Sequence, residues 1–310
     1  MEKSPPKRNW RVVFAGSPAY AVPSLEALLS LPGTEVVGVL TQKPKPRGRG
    51  QTLQASAVGA FAAANGLLVL SPDSVKQPDT QALITALNAD VAVVVAYGKI
   101  IPQTLLSALP HGWVNAHASL LPRWRGASPI QQAIIAGDQE TGVALMQLEA
   151  GMDTGPTFVV ERIAIEPIDT SVSLAGKLAR LNAKLLAHNL VPYLEGQRPL
   201  QPQPATGITL APLLKKDDGV LSFHETATNL ERKVRAFTPW PGVTATLNGQ
   251  SVKILEAATA PGSILPGAII PHPTGFAIGT TQDLFIPLRV QLPGKKPLTG
   301  AEFARGYLKF

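Results

Sequence analysis

The run from Asp90 to Ala96, DVAVVVA, places the strongest constraint on the fold of this chain. It is continuously apolar and rich in β-branched valine, which is typical of a strand buried on both faces of a sheet. Sheets that are covered on both faces are usually parallel, with helices packed on either side. Strand-like and helix-like segments alternate around this run, so the sequence predicts an α/β fold with a mostly parallel, doubly wound sheet.

The predicted sheet begins with a βαβ unit made of a strand at 11–15, a helix at 19–31 and a strand at 35–41. Its first turn, GSPAYA, lacks the glycines of the dinucleotide-binding fingerprint, so we do not expect a nicotinamide cofactor. The other elements predicted for this part of the chain are strands at 67–70, 90–96, 112–118, 141–148 and 157–165 and helices at 54–65, 80–87, 102–109 and 173–194.

The stretch GQRPLQPQPATG predicts a linker, because Pro and Gly replace the alternating pattern. We therefore divide the chain into a catalytic domain over 1–195, a linker over 196–207 and a C-terminal domain over 208–310. In the last domain Gly and Pro punctuate short strand-like runs, as in a small β-barrel. The strands predicted there are 219–223, 243–247, 251–255, 262–265, 275–278 and 284–288, with one helix at 227–237.

The composition, 45% apolar and 16% charged over 310 residues, describes a globular protein. The absence of cysteine excludes disulfides and thiolate zinc sites, and we expect no metal site of another kind. There is no apolar signal core and no apolar run of membrane-spanning length. We therefore expect a monomer in the cytoplasm, or in an equivalent reducing compartment, with no membrane partner. The net charge of +7 permits a polyanionic partner.

The stretch WVNAHASLLPRWRGASPIQQ carries the polar residues best placed for chemistry. Asn115 and His117 are two positions apart in a predicted strand, so their side chains point to the same face. Pro122 cannot donate to a strand ladder and ends this strand, after which a basic turn and a helix follow. The carboxyl end of a strand in an α/β sheet is where such folds place ligands.

Acyl transfer to an amine needs donors for the developing oxyanion and groups that move protons. Asn115 can donate through its amide, and His117 can donate when protonated or relay a proton when neutral. Asp153, in a GMDTG turn, could orient His117 or receive the proton of the amine. Taken singly, a His or an Asn at the end of a strand is more often structural than catalytic, and Asp153 could simply cap a turn. An aspartic protease is disfavoured, since that chemistry needs two carboxylates and no second Asp-Thr-Gly or Asp-Ser-Gly occurs.

The segment QKPKPRGRGQTL is the second informative stretch. Its basic side chains alternate with Pro and Gly, and no acidic residue dilutes them. It predicts a mobile, extended, positively charged loop at the top of the sheet. A solvated surface loop and an arm that contacts phosphates are both consistent with this composition.

The motif NAHASLLPRWRGASPIQ resembles the Asn-x-His and SLLPxxRGxxPI signature of the enzymes that transfer formyl from 10-formyltetrahydrofolate. The resemblance runs from about Trp10 to the end of the chain and includes FTPWPG at 237–242. Within this family the chain is most similar to the branch that formylates the amino group of initiator methionyl-tRNA. The resemblance implies a Rossmann-like N-terminal formyltransferase domain, a linker and a small OB-like β-barrel that binds tRNA, with 10-formyltetrahydrofolate as co-substrate.

The resemblance also implies roles for individual residues. Asn115 and His117 would bind and polarise the formyl oxygen, and Asp153 would pair with His117 or manage the proton. The folate site would be lined by Ser119, Leu120, Leu121 and Pro122. The basic loop would contact the acceptor end of initiator tRNA through Lys43, Lys45, Arg47 and Arg49, with Arg49 as the discriminating residue.

Other basic residues have open assignments. Arg123 and Arg125 could contact folate glutamate or phosphate, or could have a plain surface role. Candidates for tRNA contacts in the C-terminal domain are Lys215, Lys216, Lys295 and Lys296.

Two other functions remain open at the level of sequence. A related formyltransferase could act on a small amine, such as glycinamide ribonucleotide or an amino sugar. A non-catalytic RNA-binding protein would explain the charge but not the polar residues Asn115 and His117. The basic loop and the basic C-terminal domain favour tRNA as the substrate.

Overall fold

A computed structural model describes residues 9–47 and 50–309, and for Arg47 it describes only the backbone. The described residues form two compact units. The first is made of residues up to 126, 142–163 and 175–210, and the second of 127–141, 164–174 and 211 onward. These units are sets of contacting residues, and the domain division at 196–207 stays a prediction. Among the described residues no helix combines the length and apolar character that crossing a bilayer requires.

The N-terminal part of the chain is built on a seven-stranded sheet. The strands up to residue 164 are β1 (Trp10–Gly16), β2 (Thr34–Leu40), β3 (Lys45–Arg47), β4 (Thr52–Gln54), β5 (Val69–Leu70), β6 (Val91–Val95), β7 (Trp113–His117), β8 (Arg125–Gly126), β9 (Glu140–Gln147) and β10 (Thr157–Ala164). Seven of them form a sheet of order β10-β9-β7-β6-β1-β2-β5. Strands β2, β1, β6 and β7 run parallel, and β9 is antiparallel to β7. The predicted α/β class with a mostly parallel sheet is confirmed.

Helices connect the strands at the predicted places. They are α1 (Val22–Leu29), α2 (Ala57–Ala64), α3 (Pro78–Thr85), α4 (Gln103–Leu106), α5 (Pro129–Ala136) and α6 (Ser171–Leu194). Pro129 is the first residue of α5, where its missing N–H costs no hydrogen bond. The helix predicted at 102–109 is reduced to the single turn α4, which ends before the Pro110 turn.

Strand β6 lies at the centre of the core, as its composition predicts. All five of its residues are buried, and it pairs with β1 on one side and β7 on the other. Trp113 on β7 is fully buried, and its indole N–H donates to the Leu105 carbonyl at 2.7 Å. This bond satisfies the one polar atom of a large apolar side chain, so the ring helps to fix where β7 begins.

The basic loop contains a short hairpin that the composition did not predict. Strands β3 and β4 pair antiparallel, with Lys45 opposite Gln54 and Pro46 opposite Leu53. For these residues the prediction of an extended loop was wrong. Composition does not indicate which backbone segments pair, so the pairing of 45–47 with 52–54 could not be predicted from it. Gly48 and Arg49, including the predicted tRNA contact of Arg49, lie outside the described residues.

The C-terminal part is a barrel-like antiparallel sheet with two helices. The helices and strands from residue 210 onward are β11 (Leu210–Ala211), which lies outside this sheet, α7 (Ala227–Phe237), β12 (Val243–Leu247), β13 (Gln250–Ala260), β14 (Ile269–His272), β15 (Gly275–Gly279), β16 (Leu284–Gln291), β17 (Leu298–Thr299) and α8 (Gly300–Tyr307). The main sheet has the order β12-β13-β16-β15-β14, and β17 also pairs with β16. Strands β12, β13, β15 and β16 and helix α7 were predicted, although β13 and β16 are longer than expected.

Two predicted strands in this part were wrong. Residues 216–219 form a 3₁₀ turn, which the Lys215 N–H closes by donating to the Asp218 carboxylate at 2.7 Å, and Val220 makes only an isolated bridge. Residues 262–265 are irregular, and the strand that precedes β15 and pairs with it is β14, which starts after Pro266 and Gly267. A Pro-Gly turn placed later than expected therefore shifts the pairing partner.

Candidate active site

Strands β6 and β7 end at the same edge of the sheet because they run parallel, with Val94 opposite Asn115. Asn115 is half-buried on β7, and His117 is the last residue of that strand. Both side chains contact the same third residue, Asp153, so they share one side of the strand, as the spacing of two predicts. The predicted polar residues thus meet where doubly wound sheets place ligands.

Asp153 bridges the two strand residues through its carboxylate. Asn115 Nδ2 donates to Oδ1 at 3.3 Å, and His117 Nδ1 lies 3.6 Å from Oδ2. The backbone N–H of Gly126 donates to Oδ2 at 2.8 Å. The His117 side chain is 6% exposed and that of Asp153 is 14% exposed, so this group is largely sheltered from bulk water. The structure therefore assembles Asn115, His117 and Asp153 into one cluster.

The ring orientation of His117 is set by a backbone carbonyl. Its Nε2 lies 2.9 Å from the Trp124 carbonyl oxygen. Because a carbonyl oxygen can only accept, Nε2 must carry a hydrogen and donate. The other nitrogen, Nδ1, faces the Asp153 carboxylate and is the ring atom that can gain or lose a proton while the Trp124 contact is kept.

This cluster combines hydrogen-bond donors for a substrate oxygen with groups that can accept a proton. The Asn115 amide has a second N–H beyond the one that faces Asp153, and an amide N–H is a suitable oxyanion donor. The carboxylate and the imidazole together form a proton-exchanging pair. Such an arrangement fits acyl transfer between nitrogen atoms, in which one nitrogen loses a proton and the other regains one.

The residues predicted to line the folate site form the turn after β7. Ser119 is fully buried, and its hydroxyl donates to the Arg123 carbonyl at 2.6 Å, closing the turn. Leu121 and Pro122 are buried, and Leu121 packs with apolar residues of β9. Leu120 is half-buried near Gly142, so it has the most accessible surface of the four. Their contact with folate stays a prediction.

The two arginines of the turn have different surroundings. The Arg123 guanidinium lies over the Trp124 ring, 4.3 Å from its centroid. Arg125 donates through Nε and Nη2 to the Gln203 side-chain oxygen, at 3.0 and 2.7 Å. Gln203 was not singled out from the sequence, because nothing distinguishes one glutamine in a Pro-rich stretch.

Lys43 and Lys45 of the predicted tRNA-binding loop join Lys99 in a basic cluster. Lys43 pairs with Asp73 at 2.6 Å, which lowers the pKa of that carboxyl, and Lys45 donates to Gln42 at 2.7 Å. Burial lowers the pKa of Lys99, the pull of Asp73 opposes this, and the charges of Lys43 and Lys45 lower it further. Sequence analysis missed Lys99, although its place just after β6 was a usable signal.

A cavity of about 370 Å³ lies beside this cluster. Its lining includes Asp73, Lys76, Gly98, Lys99 and Ile100. Residues 98–100 follow the end of β6, so the cavity lies at the ligand-binding edge of the sheet. The cluster around His117 and this cavity belong to neighbouring parallel strands.

Two family models match the chain: that for formyl transferase over residues 10–190 and that for the formyl transferase C-terminal domain over residues 213–308. The chain belongs to the formyl transferase family. It is therefore an enzyme of formyl transfer, and the resemblance read from the NAHASLLPRWRGASPIQ motif is confirmed. The barrel-like sheet that follows residue 210 is the C-terminal domain of this family.

Named members of the formyl transferase family match almost the whole chain. The methionyl-tRNA formyltransferase of Paramagnetospirillum magneticum is 45% identical, with 96% of this chain and 97% of that protein covered. That of Myxococcus xanthus is 44% identical, with 96% and 95% covered. Among solved structures, an N-formyltransferase from Helicobacter canadensis in complex with folinic acid and dTDP-3-aminofucose has a TM-score of 0.65 and 18% identity, with 90% and 98% covered. The last likeness concerns the fold.

Proposed function

We propose that this enzyme transfers the formyl group of 10-formyltetrahydrofolate to the free amino group of the methionyl moiety of initiator methionyl-tRNA. The product is N-formylmethionyl-tRNA, with which translation is initiated. One observation carries the proposal: relatives that match 96% of the chain at 44–45% identity are methionyl-tRNA formyltransferases. A match of this length covers both the catalytic sheet and the C-terminal domain.

The site residues have the following proposed roles. The methionyl nitrogen attacks the formyl carbon, and the carbonyl oxygen becomes negative while the second amide N–H of Asn115 and the Nδ1–H of protonated His117 donate to it. The bond between the formyl carbon and N10 of the folate then breaks, and its electron pair goes to N10. The attacking nitrogen loses one proton and N10 gains one, and Asp153 with Nδ1 of His117 handles this exchange.

The nucleic-acid contacts are also part of the proposal. Lys43, Lys45, Arg47 and Arg49 contact the acceptor end of the tRNA, with Arg49 discriminating initiator from elongator tRNA. The C-terminal domain, which we place at 208–310, adds basic residues for the tRNA body. The enzyme acts as a monomer in the cytoplasm, and the folate is held beside the turn of residues 119–122.

The proposal is tested by following labelled formyl. The full chain is incubated with formyl-labelled 10-formyltetrahydrofolate and, in parallel, with charged initiator tRNA, uncharged initiator tRNA, charged elongator methionine tRNA or glycinamide ribonucleotide. We expect label on the methionyl group of charged initiator tRNA only. Label on glycinamide ribonucleotide, or equal labelling of both charged tRNAs, would contradict the assigned substrate.

A further inference from the structure

Asp153 lies in a tight loop and has an uncommon backbone conformation. Its φ of +49° is in the left-handed region, which residues with a side chain rarely occupy. Gly155 packs so closely that a Cβ there would lie 1.9 Å from the Gln147 carbonyl oxygen. The loop therefore depends on contacts from elsewhere to keep the Asp153 carboxylate facing Asn115 and His117.

Gln203 supplies such contacts from a distant part of the chain. Its Nε2 donates to the Asp153 carbonyl at 2.8 Å and to the Gly155 carbonyl at 2.7 Å. Its Oε1 accepts from Nε and Nη2 of Arg125 at 3.0 and 2.7 Å. The side chain thus uses both amide hydrogens and its oxygen, the full set of roles that a primary amide can fill. It is half-buried, unlike the exposed residues on either side of it.

Gln203 joins the Asp153 loop to the turn that contains Arg125 and Gly126. Contact between these two segments fixes the position of the Asp153 carboxylate. Arg125 directly precedes Gly126, and the Gly126 N–H donates to Oδ2 of Asp153 at 2.8 Å. The same oxygen lies 3.6 Å from His117 Nδ1. A displacement of either segment would change that separation, and proton transfer is sensitive to distances of this size.

Thr209, which follows Gln203 in the chain, supports the Nε2 side of the His117 ring. The Trp124 N–H donates to the Thr209 hydroxyl and the Arg125 N–H donates to the Thr209 carbonyl, both at 2.9 Å. Trp124 presents the carbonyl that accepts from His117 Nε2. Residues 203–209 therefore contact the backbone segments that face both ring nitrogens of His117.

We propose that Gln203 is a positioning residue for formyl transfer, which holds the Asp153 loop against the turn of residues 124–126 so that the carboxylate faces the imidazole. The proposal rests on the proposed function, since it assigns Gln203 a role in that reaction. Gln203 does not touch the reacting atoms; it acts through Asp153.

Gln203→Glu separates the two halves of this contact. A carboxylate still accepts from the Arg125 guanidinium, and more strongly, but it cannot donate to the Asp153 and Gly155 carbonyls. Gln203→Ala removes both halves. Gln201→Glu is the matched control, because it makes the same substitution at an exposed position. Gln201 pairs with Thr157 through its backbone, which the substitution leaves in place.

The experiment measures kcat, KM and the pH dependence of kcat for formylation of initiator methionyl-tRNA by the full chain. For Gln203→Glu we expect kcat to fall at least about tenfold and toward the ~100-fold loss that ångström-scale misplacement causes. We expect KM for both substrates to stay within about threefold, because the lost interaction concerns the reaction step. The pH profile of kcat should shift, and hydrogen exchange at 151–155 should accelerate, while Gln201→Glu behaves as the wild type.

Several results would overturn the proposal. One is a Gln203→Glu enzyme whose kcat and pH profile match those of the wild type. Another is unchanged hydrogen exchange at 151–155 in that variant. The third is a loss of activity that is fully explained by a loss of folded protein. Failure of the proposed function is a separate outcome, since it would leave the wild-type enzyme unable to formylate the tRNA. The hydrogen-exchange measurement needs no substrate and tests the Gln203 contacts in that case as well.

Discussion

His117 faces a hydrogen-bond acceptor at each of its two ring nitrogens. The Trp124 carbonyl requires a hydrogen on Nε2, and the Asp153 carboxylate favours one on Nδ1. Trp124 itself has a φ of +61°, so the turn that presents its carbonyl is an uncommon one for a bulky residue. The ring is thereby fixed with Nδ1 toward the carboxylate, which makes that nitrogen the site of proton exchange.

Asn115 is the residue with the most direct expected effect on the reaction. Replacing it with Ala removes an N–H donor beside the Asp153 carboxylate. We expect Asn115→Ala to lower kcat by about 10²–10³-fold, the usual cost of one oxyanion donor. Steady-state formylation of initiator methionyl-tRNA measures it. Activity within a few-fold of wild type would exclude Asn115 as an oxyanion donor.

At the scale of secondary-structure elements, sequence analysis succeeded where local pattern and burial agree. The buried strand β6, the shared face of Asn115 and His117 on β7 and the helix α7 were each predicted, because apolar runs and side-chain alternation are local patterns. Strand β14 and helix α8 were missed. The first depends on which segment pairs with β15, and the second was signalled only by Thr299 and Glu302 at capping-box spacing. Of the candidate site, Gln203 could not be predicted, since its partners are about 50 to 80 residues away in sequence.

Helix α8 provides a pH-dependent test of its own capping box. The Thr299 N–H and hydroxyl both donate to the Glu302 carboxylate, which lowers the pKa of Glu302 below its usual value of 4.5. A depressed pKa in the folded state contributes stability at neutral pH that is lost as the pH falls through the folded pKa. We expect the wild type to be more stable than Glu302→Gln at pH 7 and this advantage to be lost as the pH falls through the lowered pKa of Glu302. Thermal unfolding of both proteins from pH 7 to 3 measures it, and a constant difference would refute the capping role.

At the scale of the whole molecule, the net charge of +7 overstates the number of lysine charges near the N-terminal basic loop that are available to contact phosphates. Lys43 is paired with Asp73, whereas Lys45 has a neutral partner, Gln42. Lys99 is held by the carbonyls of residues 72 and 73. Of these three lysines, Lys45 is the exposed one whose hydrogen-bond partner, Gln42, carries no charge. Its ammonium charge is therefore the most available for a contact with phosphate.

The salt dependence of tRNA binding tests this difference. Each cationic contact to phosphate adds about 0.7–0.9 to the slope of log affinity against log salt, because it releases a counterion. Lys45→Ala should lower the slope by about this amount, and Lys43→Ala should lower it much less, because Lys43 is engaged with Asp73. Asp73→Asn frees the Lys43 ammonium and should raise the slope by a similar amount, and adding Lys43→Ala to it should cancel that gain. Filter binding of methionyl-tRNA over a range of salt concentrations gives all five slopes. Equal slopes for the wild type, Lys45→Ala and Asp73→Asn would remove this basic cluster from the tRNA interface.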